Sequence, residues 1–294
     1  MNAAPGSGPI NRFDRPIFLV SSPRSGSTLL FETLVNAPDL FTPRGESHGR
    51  IESIQGLSPA DHEWQSNRLV AVDADAVTVE LLTAAFLADL KDRDGQAPKG
   101  RFRMLEKTPK NALRVPFFDA AFPDSLFVIL YRDARQTVSS MVEAWASGRF
   151  RTYPRLDGWN GPDWSLLLVP GWRELSGLPL PEIVAHQWAI TMNQLIDDLE
   201  QLAPQRVVAL SYDDFLADPP PVIQALSDWL GLGWDQVLGR DLPFSKTTVS
   251  FPQRDKWRQV GQMIEAIWPI VEPADSRARL FLASRHLGEV GRIA

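Results

Sequence analysis

Three observations predict an α/β domain in three layers, with a central parallel β-sheet between helices and with helical insertions. Largely apolar segments at residues 16–20, 125–131 and 206–212 have the pattern of strands that are buried on both faces. A helical pattern follows each segment, and strands that alternate with helices form parallel sheets. The length of 294 residues, with 44% hydrophobic and 22% charged residues, fits one large domain.

This domain is predicted to span residues 16–294. Residues 1–15 are polar and rich in Gly, Pro and Asn, so we expect a flexible N-terminal segment without the apolar core of a signal peptide. The stretch 51–95 is predicted to be mainly helical. Residues 146–181 contain many glycines, prolines and tryptophans and interrupt the alternation, so we expect an insertion there.

Helical spacing and capping signals place the other elements in order. The strongest part of the stretch 51–95 is 74–90, where an apolar face is predicted from Val77, Leu81, Leu82 and Ala85. Thr108 before Pro109 is predicted to cap a helix that ends near Phe122. The remaining predictions are a strand at 101–107, helices at 134–145, 182–202 and 219–232, and two helices within the last sixty residues.

Composition excludes several kinds of function. A net charge of −6 argues against a nucleic-acid surface, so a site for anions would be a local basic pocket. The absence of cysteine excludes disulfides, thiolate metal sites and a cysteine nucleophile. No apolar run approaches the roughly 20 residues that span a bilayer, so we expect a cytoplasmic protein without a membrane span.

The loop after the first predicted strand has the features of an anion site. Small residues lead from that strand into a helix that begins at about Ser27 or Thr28, and such a helix start presents backbone N–H groups and the positive end of the helix dipole. We therefore predict a P-loop-like site for a phosphate or sulfate. Its contributing residues are Arg24, Ser25, Gly26, Ser27 and Thr28.

Four side chains suited to anion binding or stacking lie at or just beyond predicted strand ends. They are Arg24, Lys107, Arg132 and Tyr212. Ligands of parallel sheets gather at the carboxyl ends of the strands, so we expect these four residues to lie around one site.

Two motifs together resemble the signature of sulfotransferases that use 3′-phosphoadenosine 5′-phosphosulfate (PAPS). They are Pro23-Arg-Ser-Gly-Ser-Thr28 and Tyr131-Arg-Asp-Ala-Arg-Gln-Thr-Val-Ser-Ser140. Their order and spacing are most similar to the bacterial branch related to tyrosylprotein sulfotransferases, over about residues 16–258. Further matches lie at 106–111, 121–124, 210–213 and 255–258.

The resemblance implies a nucleotide site. The loop around Arg24 would hold the 5′-phosphosulfate, and Arg132 with Ser140 would hold the 3′-phosphate. Family positions that enclose the nucleotide are matched by Tyr212, Lys256, Trp257 and Arg258. The G-x-x-x-x-G-K-[ST] form and a Walker-B-type aspartate are missing, so no metal is expected.

The resemblance also implies the catalytic groups. Glu46 matches the family glutamate that takes the proton of the acceptor hydroxyl, and His48 is the alternative base. Lys107 resembles the lysine that steadies the transferring sulfonate, and Arg24 with the loop amides would stabilise charge on the leaving oxygen. The product nucleotide would be 3′-phosphoadenosine 5′-phosphate (PAP).

The acceptor is left open as a small molecule or a peptide with a hydroxyl, and the oligomeric state is not predicted. Four tryptophans either line an apolar acceptor pocket or pack the insertion onto the domain: Trp145, Trp159, Trp164 and Trp172. Two other functions stay open, a P-loop kinase that needs ATP and magnesium and a non-catalytic nucleotide-binding protein.

Overall fold

A computed structural model describes residues 12–43, 45–240, 242–243 and 255–287. The strands are β1 Ile17–Val20, β2 Leu40–Phe41, β3 Arg103–Lys107, β4 Leu126–Tyr131, β5 Arg151–Tyr153, β6 Trp164–Ser165 and β7 Val207–Ser211. The helices are α1 Ser27–Leu34, α2 His48–Glu52, α3 Ala76–Asp89, α4 Val115–Ala121, α5 Ala134–Ala146, α6 Leu180–Glu200, α7 Tyr212–Ala217, α8 Pro219–Leu230 and α9 Gly261–Ser284.

Five parallel strands form the central sheet in the order β2-β3-β1-β4-β7. The most apolar strands, β1 and β4, are buried along their whole length because helices cover both faces. Ile17 and Leu19 face the layer that contains α1 and α8, and Phe18 and Val20 face the layer that contains α4, α6 and α9. The predicted three-layer α/β fold is confirmed.

The parallel register places the ends of four strands at one edge of the sheet. Leu19 of β1 pairs with Lys107 at the end of β3, Val20 pairs with Ile129 of β4, and Tyr131 at the end of β4 pairs with Ser211. The loops that follow these strands therefore lie side by side. This edge is where the sequence predicts the site.

The stretch 51–95 is less helical than predicted. Its one long helix is α3, whereas residues 53–75 form turns and two short 3₁₀ helices, Pro59–His62 and Ala71–Asp73. The predicted apolar face is also wrong, because the side of α3 that packs on the domain carries Thr78, Leu82, Thr83 and Phe86. Apolar residues occur on every side of this helix, so their periodicity does not select a face.

Both ends of the described chain differ from the sequence prediction. Phe13 lies in the core with its ring centroid 4.9 Å from that of Phe102, so residues 12–15 pack on the domain, whereas they were expected to be flexible. The two helices expected near the C-terminus are one helix, α9, preceded by the short 3₁₀ helix Lys256–Val260. Within α9, Pro269 and Pro273 do not end the helix.

Residues 1–11 of the predicted N-terminal segment and residues 244–254 before the 255–258 motif lie outside the described residues. Among the residues that are described, no helix is long and apolar enough to cross a membrane.

A matched pair of substitutions in α3 tests which face is buried. Leu82 is 0% exposed and Leu81 is 49% exposed, so Leu82→Ala should lower the free energy of unfolding by about 2–5 kcal/mol. Leu81→Ala should change it by less than about 0.5 kcal/mol. Urea denaturation of both variants measures the difference. Equal losses would show that α3 is rotated from the position described.

Candidate active site

Side chains at the end of β3 and just after β4 make hydrogen bonds to the segment that follows β1. Lys107 Nζ at the end of β3 donates to Thr28 Oγ1 at 3.2 Å, which ties β3 to the start of α1. Arg132 Nη1 after β4 donates to the Arg24 carbonyl at 3.2 Å, and Arg24 Nε donates to Ser140 Oγ at 3.3 Å. The two predicted anion motifs are therefore in direct contact.

The loop before α1 is shaped to receive an anion. Gly26 has φ 89°, and a Cβ at this position would lie 2.2 Å from the ring of Tyr212, so only glycine fits. Arg24 also has a positive φ of 67°. No side chain caps α1, so the N–H groups of its first turn have no side-chain acceptor there.

Two arginines make this edge electropositive. Burial lowers the pKa of Arg24, and the charge of Arg132 lowers it further. Burial also lowers the pKa of Arg132, whose guanidinium lies 5.2 Å from the centroid of the Tyr212 ring and donates to Gln136. Because both arginines stay charged, an anion between them would relieve their repulsion.

The aromatic ring beneath Arg24 was missed by sequence analysis. The Arg24 guanidinium lies 4.9 Å from the ring centroid of Phe150, which belongs to the tryptophan-rich insertion. No local pattern marks Phe150 as a neighbour of the loop. The insertion thus contributes to the anion site as well as to the core.

The segment Lys256–Arg258 packs on α5 beside Ser140. Lys256 Nζ lies 2.9 Å from both carboxylate oxygens of Glu143, which is one turn beyond Ser140. Trp257 lies between two guanidinium groups, with centroid distances of 5.6 Å to Arg135 and 5.1 Å to Arg258. Lys256 and Trp257 therefore contact the helix that carries Ser140, whereas Arg258 is exposed and pairs with Asp255. The roles of all three residues toward a nucleotide stay predictions.

Glu46, His48 and Lys107 form the second half of the site. Glu46 Oε1 accepts a hydrogen bond from Lys107 Nζ at 2.8 Å, and its Oε2 lies 3.6 Å from Nδ1 of His48. Burial raises the pKa of Glu46, but the contacts with His48 and Lys107 outweigh burial and lower the pKa to about 2. The carboxylate is therefore ionised at neutral pH.

Thr108 does not cap the following helix as predicted. Its hydroxyl accepts a hydrogen bond from the Ser47 N–H at 2.7 Å and donates to Glu106 Oε1 at 2.6 Å. The segment Pro109–Leu113 is a 3₁₀ helix without a side-chain cap. The prediction failed because the partners of this hydroxyl lie on another loop and on the buried face of β3.

A buried ionic cluster, also missed by sequence analysis, holds the far end of the Glu46 loop. Glu52 at the end of α2 accepts from Lys110 Nζ at 2.8 Å and from Arg114 Nη2 at 2.6 Å. Burial raises the pKa of Glu52, and the charges of Arg114 and Lys110 lower it below its usual value. The loop from Glu46 to Glu52 is thus attached to the domain at both ends.

Three tryptophans of the insertion and Trp145 of α5 pack against one another. The Trp164 ring has edge contacts with Trp145, Trp159 and Trp172 at centroid distances of 5.2, 4.9 and 5.8 Å. The indole N–H groups of all four donate to protein oxygens. The packing alternative is therefore the one that the structure supports.

In the part of the chain that is described, no group of three or more His, Asp or Glu side chains is arranged to hold a metal ion.

The sequence of the chain is similar to those of known proteins. A model of the Sulfotransferase family matches residues 16–236. The chain is 25% identical over 234 residues to "Putative protein-tyrosine sulfotransferase" of Caenorhabditis briggsae, which covers 78% of this chain and 70% of that protein. It is 21% identical over 274 residues to protein-tyrosine sulfotransferase A of Caenorhabditis elegans, which covers 89% of this chain and 63%, less than two thirds, of that protein.

Solved structures of low similarity were also found. A sulfotransferase from Alicyclobacillus acidocaldarius has a TM-score of 0.48 and 15% identity, covering 92% of this chain and 96% of that one. A mouse sulfotransferase complexed with PAP has a TM-score of 0.41 and 12% identity, covering 92% of this chain and 94% of that one.

The pKa of Glu46 predicts how stability depends on pH. The folded-state pKa of about 2 lies below the ordinary value of 4.5, so the ionised carboxylate contributes stability that is complete above about pH 4.5 and is lost as the pH falls toward 2. The difference in unfolding free energy between the wild type and Glu46→Gln should therefore narrow below about pH 4.5.

Urea denaturation of both proteins from neutral pH down to about pH 3 measures this difference. Lys107→Met should weaken the dependence, because it removes the nearest cation. A difference that stays constant across this range would show that Glu46 has an ordinary pKa.

Proposed function

This chain belongs to the Sulfotransferase family, and we propose that it transfers a sulfuryl group from PAPS to an acceptor hydroxyl. One observation carries the choice of donor: the contact between the Arg24 loop and the Arg132–Ser140 pair at a single edge of the sheet. A donor with phosphate groups at both its 5′ and 3′ positions needs two neighbouring anion sites. ADP and ATP carry no 3′-phosphate for the second site.

The residues present fit such a donor. The start of α1, which no side chain caps, offers backbone N–H groups to a 5′-phosphosulfate, and Gly26 lets the Tyr212 ring pack directly against this loop. Arg132 carries a planar guanidinium, which suits two parallel hydrogen bonds to a 3′-phosphate, and Arg24 contacts both Arg132 and Ser140. The chemistry that PAPS supplies is an activated sulfuryl group, and PAP is the product.

Lys107 and Arg24 stabilise negative charge during the transfer. Lys107 Nζ is held between Thr28 and Glu46, so its ammonium lies where the anion loop and the candidate base meet. A cation held this close to the loop needs only a small movement to stabilise charge that develops on the leaving oxygen. Sulfuryl carries less negative charge than phosphoryl, so these side chains can act without a metal clamp.

Glu46 takes the proton of the acceptor hydroxyl. A carboxylate with a pKa of about 2 is a weak base, because Lys107 and His48 stabilise its charge. When Lys107 turns toward a bound anion, Glu46 loses part of that stabilisation and its pKa rises. The ion pair therefore links donor binding to the basicity of Glu46.

A peptide tyrosine is the first acceptor to test. The two curated relatives are named protein-tyrosine sulfotransferases. The four tryptophans pack against one another, so they give no support to an apolar small-molecule acceptor.

Two isosteric substitutions separate the candidate bases. Glu46→Gln should lower kcat about 10²-fold or more and leave the Kd for PAP nearly unchanged, because the amide cannot accept the proton. His48→Gln should keep most of the activity. The assay is sulfuryl transfer from PAPS to a tyrosine-containing peptide, with PAP affinity measured by calorimetry. Full activity of Glu46→Gln together with loss in His48→Gln would make His48 the base.

A further inference from the structure

One buried residue anchors the loop that carries Glu46. Within residues 45–50, Ser47 alone is buried, while Glu46 and His48 on either side of it reach the surface. The Ser47 N–H donates to Thr108 Oγ1 at 2.7 Å. This bond fixes the backbone next to the proposed base.

The bond is the first of a chain that ends inside the domain. Because the Ser47 N–H occupies one acceptor position of the Thr108 hydroxyl, the hydroxyl proton is directed at Glu106 Oε1, 2.6 Å away. The other oxygen of Glu106 accepts a hydrogen bond from the amide of Asn111. These contacts therefore run from the loop backbone through Thr108 and Glu106 to Asn111.

The end of β3 holds the Glu46 loop in two ways. Neighbouring residues of a strand point to opposite faces, so Lys107 and Glu106 act from different sides. Lys107 pairs with the Glu46 carboxylate, and Glu106 acts through Thr108 on the loop backbone. Glu106 is 0% exposed, so it cannot reach a substrate itself.

We propose that Thr108 and Glu106 are positioning residues for Glu46. By holding the Ser47 backbone, they keep the Glu46 carboxylate next to Lys107. This role rests on the proposed function, in which Glu46 is the base. A base must lie within hydrogen-bond reach of the proton that it takes, so a shift of the loop by about 1 Å would cost about a hundredfold in rate.

A contact from Arg50 also holds the Glu46 loop and remains when the hydrogen bond between Ser47 and Thr108 is removed. Arg50 Nη1 donates to the Glu46 carbonyl at 3.3 Å, and Arg50 Nε is paired with Asp89 of α3. Loss of the Thr108 hydroxyl should therefore loosen the loop without unfolding the domain.

Thr108→Val and Thr108→Ser form the matched test. Valine keeps the shape and removes the hydroxyl, whereas serine keeps the hydroxyl. Thr108→Val should lower kcat about tenfold to a hundredfold with PAPS and a tyrosine-containing peptide, and its Kd for PAP should stay within about twofold of the wild type. The kcat of Thr108→Ser and its Kd for PAP should both stay within about twofold of the wild-type values.

Hydrogen exchange supplies a readout that needs no acceptor. Peptides that contain Ser47 should exchange faster in Thr108→Val than in Thr108→Ser or the wild type, because the amide has lost its acceptor. Glu106→Gln should retain protection because its oxygen still accepts from Thr108. Its amide would face the Asn111 amide, and Asn111 can turn over to present Oδ1, which accepts no hydrogen bond from the described residues.

The possible failures are distinguishable. Wild-type kcat and wild-type protection of the Ser47 amide in Thr108→Val would overturn the positioning role. An equal loss of kcat in Thr108→Val and Thr108→Ser would overturn it too, because the hydroxyl would not be the cause. A wild-type protein that neither binds PAP nor transfers sulfuryl groups would instead refute the proposed function.

Discussion

The ion pair between Lys107 and Glu46 is the contact on which the candidate active site depends. Lys107 is 5% exposed, and a buried ammonium needs a partner to offset the loss of its hydration. The partner is Glu46, whose Oε1 lies 2.8 Å from Lys107 Nζ, and this contact holds Glu46 at the end of β3. The pair therefore joins a loop to the edge of the sheet, stabilises both charges and places the proposed base beside the anion loop.

The parallel sheet makes this concentration of charge possible in an acidic protein. The chain has a net charge of −6, yet Arg24, Lys107 and Arg132 converge because their strands end at one edge. Arg132 donates a hydrogen bond to the Arg24 carbonyl, and the Arg24 side chain donates one to Ser140. This cluster of cations is the kind of local basic pocket that the sequence predicts for an anion.

The sheet was predictable from the sequence because it depends on local patterns, and the same patterns place the candidate site residues at one edge. Apolar runs mark β1 and β4, and parallel order then brings the residues after each strand together. The face of α3 and the hydroxyl partners of Thr108 were not predictable, since they are set by contacts between distant segments. Ser47 and Thr108, for example, are 61 residues apart. The tryptophans were ambiguous because their composition fits a pocket and a packed cluster equally well.

The most direct measurement is a thermal-shift titration that compares PAP with ADP, each with and without magnesium. A ligand that binds only the folded state stabilises it by about 2.7 kcal/mol at a hundredfold excess over Kd. A 3′-phosphate site at Arg132 and Ser140 predicts that PAP raises the melting temperature clearly without magnesium and that ADP raises it much less. Equal shifts with both nucleotides, or a shift that requires magnesium, would contradict a 3′-phosphate site at Arg132 and Ser140 and would favour the kinase alternative.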